Sequence, residues 1–161
     1  MKERTAFATK LFGLLQRGEM ILLMTLIIGL ALRYTFPQTE ILVIISLAGL
    51  AMIFFLSAYQ PIPIEKDEKF GPTDLLYYII APKILGISSA VCAVGLLFYF
   101  IDNNNPGFRP MLTIGAMSIA AASLIVFIGW LQKDKNIQLI IPILYRAIPL
   151  MIVSFYFLSI K

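Results

Sequence analysis

An all-α integral membrane protein with five transmembrane helices is the fold class that the sequence predicts, and three observations predict it. Of the 161 residues, 60% are apolar and only 14% charged, a balance outside the soluble range. The apolar residues gather into five runs of span length, since about 20 of them cross a hydrocarbon core as a helix. None of the runs alternates with period two. That argues against a barrel, and a helix is then how each lipid-facing segment pairs its own backbone groups.

Within one membrane domain, 1–161, the elements follow in order. Residues 1–19 carry Lys2, Arg4, Lys10 and Arg17, with Phe7, Leu11, Phe12, Leu14 and Leu15 near helical spacing, the pattern of an N-terminal amphipathic interfacial helix. A basic start before an apolar run also suits a signal peptide. Arg33, Tyr34 and Phe36 occupy the ground where a small-residue cleavage site would lie, so the segment is expected to be retained. The first span, 20–36, ends on that interfacial cluster before Pro37. The second, 41–59, follows after so short a turn that the two form an antiparallel hairpin, with Ala48, Gly49 and Ala51 for close packing. The polar stretch PIPIEKDEKFGPTD reads as a solvated connector. Thr73 is placed to cap a short helix, Asp74 to Ala81, whose Tyr77 and Tyr78 suit the membrane surface.

Pro82 fits the first turn of the third span, 82–101, where its missing N–H costs little. Across the break DNNNPGFRP lies the fourth, 111–131. Small residues in both arms, Gly86, Ala90 and Ala93 in one and Gly115, Ser118 and Ala122 in the other, predict that this central hairpin packs backbone to backbone. A basic turn with Lys133 and Lys135 leads to the fifth span, 137–160, which Pro142 and Pro149 are expected to kink. Nine Lys and Arg fall on the side of the N-terminus, and Arg33, Arg109 and Lys161 on the other. The positive-inside rule therefore predicts a cytoplasmic N-terminus and, in a bacterial inner membrane, a periplasmic C-terminus.

The two hairpins read as parallel repeats: each runs from a Gly-Leu start through an aromatic group and a proline turn, with Pro37 before Leu42 and Pro106 before Met111 at the same offset. Gly95, Leu97, Phe98, Pro106, Gly107, Met111, Leu112, Ile114 and Gly115 give the second hairpin a pattern that resembles the membrane hairpin of GldL, the inner-membrane subunit of the Bacteroidota gliding and type 9 secretion motor. The resemblance covers about one third of the chain and implies lineage. Motors of that type depend on charged residues within their spans, including an acid. None of the nine acids here falls in a predicted span, so the motor function is not carried over.

The net charge of +4 is accounted for by topology and anionic membrane lipid, and no nucleic-acid partner is expected. With no His and a single Cys92, the chain lacks the ligands of zinc, iron–sulfur or His-held haem sites, and no metal or cofactor is expected. A Ser and Lys arrangement, Lys83 with Ser88 or Ser89, has poor spacing for hydrogen-bond reach, so the chain is expected to be no enzyme. One polar group stands out. Arg146, the tenth residue of its run, falls about 15 Å along a helix, near mid-membrane, where an arginine requires a partner. Pro149 frees the carbonyl of Tyr145 and Pro142 that of Gln138, which makes these its possible backbone partners. The other candidates are an acid on a partner protein, a lipid phosphate or an anionic ligand. The expected role is a non-catalytic accessory or scaffolding subunit of a larger inner-membrane assembly, binding other membrane subunits or itself. The alternative is a small transporter or channel that works as a homo-oligomer with Arg146 lining the path.

Overall fold

The computed structural model describes residues 2–33, 35–60, 71–102, 104, 106–132 and 137–159, without the side chains of 2–11, 37 and 72. The interfacial side chains expected before Leu11, most of the polar connector and the basic turn at Lys133 and Lys135 lie outside the described residues. All the regular structure described is helical: α1 (Lys2–Leu32), α2 (Glu40–Ser57), α3 (Pro72–Leu75), α4 (Ala81–Ile101), α5 (Phe108–Leu131) and α6 (Ile141–Ser159). Five stretches are long and apolar enough to cross a membrane: Phe12–Leu32, Glu40–Ser57, Thr73–Ile101, Phe108–Leu131 and Ile141–Ser159.

Two expected boundaries move. The break placed after Glu19 does not occur: α1 runs unbroken from Lys2 to Leu32, because the stretch holds no proline and its glycines only weaken a helix. The apolar stretch of α1 accordingly begins at Phe12 and takes Glu19 inside. Likewise the short helix before Pro82 and the third span are one rod. α3 passes into α4 through a π-helical turn, Leu76–Ile80, in which the Ala81 N–H donates to the Leu76 carbonyl. Pro82 has no N–H for the Tyr78 carbonyl and crowds the preceding turn, and the wider turn accommodates both.

α4 is the centre of the bundle, packed against α2, α5 and α6, while α1 packs along α2. In the most apolar stretch of α4 56% of residues are buried, against 11% in those of α1 and α6. Successive helices are antiparallel. Gly18 meets Ile53 and Gly29 meets Val43 between α1 and α2, Gly86 meets Ala58 between α2 and α4, and Gly95 meets Leu112 between α4 and α5. α6 returns parallel to α4, its Phe157 ring tilted against Tyr99 and edge-on to Phe100. The contacts Gly29 to Val43 and Gly95 to Leu112 occupy matching places in the two hairpins. Both glycines open the repeat, and both partners, fully buried or nearly so, lie six residues after the turn proline.

The small residues of α4 do not all face α5. Gly86 abuts Ala58, which caps α2, and Ala90 and Ala93 cluster with Leu50, Ala51 and Phe54 of α2. The approach across the central hairpin is made by Ser88, Cys92 and Gly95. The reason is the central position of α4: a helix with three neighbours needs small residues on more than one face, and the sequence spacing does not tell the faces apart.

Candidate functional site: an ion pair joining the first and last helices

α1 approaches α2 closely where Gly29 meets Val43 and Gly49 meets Leu22, and Glu19 lies on the buried side of α1. The Glu19 side chain is only 6% exposed, and its Oε2 lies 3.2 Å from Nη1 of Arg146 on α6. Arg146 stands at the margin of its helix face, between Ala147 in the core and Tyr145, which is 73% exposed. That position leaves 31% of the arginine side chain uncovered.

Both residues are deep in their spans. Glu19 is three residues from the middle of Phe12–Leu32 and Arg146 four from the middle of Ile141–Ser159, or about 4.5 and 6 Å at 1.5 Å per residue. Both lie in the first half of helices that run the same way, hence at one level. Two charges at that depth in a membrane would be costly alone and stabilise one another as a pair, so the removal of either would strand the other.

Two expectations change. Glu19, Glu40 and Asp74 fall within candidate spans, Glu40 and Asp74 at their ends, and the ion-pair partner that the structure gives Arg146 is Glu19 rather than either carbonyl. Pro149 is inside α6, but Pro142 is its second residue, so the Gln138 carbonyl belongs to the preceding 3-10 turn, Ile137–Leu139, and not to an interrupted helix. Glu19 was missed because it sits beside the basic N-terminal segment, where an acid reads as solvated. Its signal was present all the same: an acid between Leu14-Leu15 and Met20-Ile21-Leu22 in a chain with an arginine near the middle of its last apolar run.

Of the expected packing residues, Gly115 is the tightest: a Cβ there would meet Cys92 Sγ at 2.5 Å and the Ser88 carbonyl oxygen at 3.1 Å. Ala122 lies in the core with Leu85 and Cys92, and Ser118 is half-buried. At the far end of the bundle Arg33 pairs with Glu40 at 3.2 Å and lies 5.0 Å from the ring centroid of Phe100. There Tyr99 gathers Phe100, Phe108 and Phe157 around it. No protein-family model, curated protein or solved structure matches this chain.

Proposed function

We propose that the protein is a non-catalytic accessory or scaffolding subunit of a larger assembly in a bacterial inner membrane, joined to a neighbouring membrane subunit through the edge where α1 and α6 meet. The observation that carries this reading is the uncovered third of Arg146 near mid-span. The guanidinium has five N–H donors, the contact it makes among the described residues is from Nη1 to Glu19 Oε2, and lipid chains offer no acceptors for donors that face them. A helix of another subunit bearing a hydroxyl, amide or carboxylate does. The scant burial of α1 and α6 leaves room for such a neighbour. The excess of Lys and Arg beside the N-terminus puts that terminus in the cytoplasm and the C-terminus in the periplasm.

A second reading is favoured by the acid within the span: a small homo-oligomeric transporter or channel, since paired charges at membrane depth often line ion pathways. Gentle purification followed by native mass spectrometry separates the two. The subunit reading expects a stoichiometric foreign membrane protein, lost when Glu19 and Arg146 are both replaced by leucine. The double change is the right probe, because Arg146→Leu alone strands Glu19. A homo-oligomer that conducts ions in liposomes, or a double-leucine variant that keeps its partner, overturns the subunit reading.

A further inference from the structure

A helix ordinarily docks by burying an apolar stripe, and the stripe of α1, Leu22, Leu23 and Leu26, is only partly buried. Among its described residues only Glu19 and Gly29 are buried, so its one buried side chain is a carboxylate. Met20, Ile21, Met24, Ile27 and Ile28 are each more than half exposed. α1 packs along α2, and among the described residues its backbone does not run against that of α6. Leu22, Leu23 and Leu26 of α1 and Leu150 of α6 instead rest on a common floor made by Leu50, Ala51 and Phe54 of α2 with Ala90 and Ala93 of α4. The Glu19–Arg146 pair bridges the two helices beside this floor.

We propose that this pair is a latch and α1 a displaceable outer helix: transfer of the Arg146 guanidinium from Glu19 to a competing acceptor opens the bundle laterally between α1 and α6. Three features support the device, and none of them requires the subunit reading. The apolar residues that hold α1 to the floor, Leu22, Leu23 and Leu26, are only partly buried. The arginine half of the pair is reachable from outside, with donors to spare, so an incoming acceptor engages before Glu19 lets go. Beneath the latch lies a surface in which Ala51, Ala90 and Ala93 permit close approach, so the opened floor suits another helix. Such a two-state element is biased by whatever binds one state better.

The distance between α1 and α6 tests it. Spin labels are placed at Met24→Cys and Tyr145→Cys, both exposed, in a Cys92→Ala chain in lipid nanodiscs and read by double electron–electron resonance. The parent chain is expected to show one narrow distance. Glu19→Gln should add a population longer by about 10 Å, the diameter of a helix, and the exchange Glu19→Arg with Arg146→Glu should restore the single narrow one. A Glu19→Gln chain with the parental distribution overturns the latch, as does an exchange variant that stays open. So does a Glu19→Gln chain that cannot be recovered folded, since the pair is then a folding requirement.

Discussion

Gly13 and Gly115 are both glycines inside helices, yet their surroundings are opposite. A Cβ at Gly13 meets nothing within 4 Å, whereas one at Gly115 meets both the Cys92 side chain and backbone atoms of α4. Backbone cannot yield as a flexible side chain does, so Gly115→Ala forces α4 and α5 apart and is expected to destabilise by about 1–3 kcal/mol. Gly13→Ala should be neutral or stabilising by up to about 1 kcal/mol, the difference in helix propensity. Unfolding in detergent titrations, read by circular dichroism, compares the two. A Gly115→Ala chain as stable as Gly13→Ala would remove the close α4–α5 approach from the account. Both glycines were visible in the sequence. Which of them sits at a helix crossing was not, because that depends on the face each helix turns to its neighbour.

At the scale of elements, the join between α1 and α6 rests on charge, and its energetics have a recognisable pattern. Arg146→Leu leaves Glu19 buried without a partner and is expected to cost about 3–5 kcal/mol, whereas replacing both residues by leucine should be neutral or stabilising by about 1–4 kcal/mol. A double-mutant cycle in the same unfolding assay measures the coupling; additive single changes would mean that the pair does not interact. The sequence alone placed Arg146 at mid-span and required a partner for it. It did not supply Glu19, because the identity of the partner depends on α1 continuing without a break past position 19 and on the face that α1 turns to the bundle. The π-helical turn before Pro82 has the same character: the proline is legible, but the way the preceding turn relieves it is settled by the chain on either side.

At the scale of the whole molecule, five helices long and apolar enough to span, with an excess of Lys and Arg at the N-terminal side, predict termini on opposite faces with the N-terminus in the cytoplasm. A cytoplasm-only reporter at the N-terminus or in the Glu65 to Lys69 connector, and a periplasm-only reporter at the C-terminus, should all give signal. A C-terminus that reports cytoplasm would mean that α6 does not span and that Arg146 is not at membrane depth. What the sequence by itself determined is the helical class, the number of spans and the hairpin pairing, because hydrophobic length, proline breaks and short turns act locally along the chain. Only the tertiary structure decided that α4 is central, that its small residues serve α2 as well as α5, and that the first and last helices share one ion pair. Those are matters of helix rotation and neighbourhood, and a chain apolar on nearly every side carries little periodicity from which to read them.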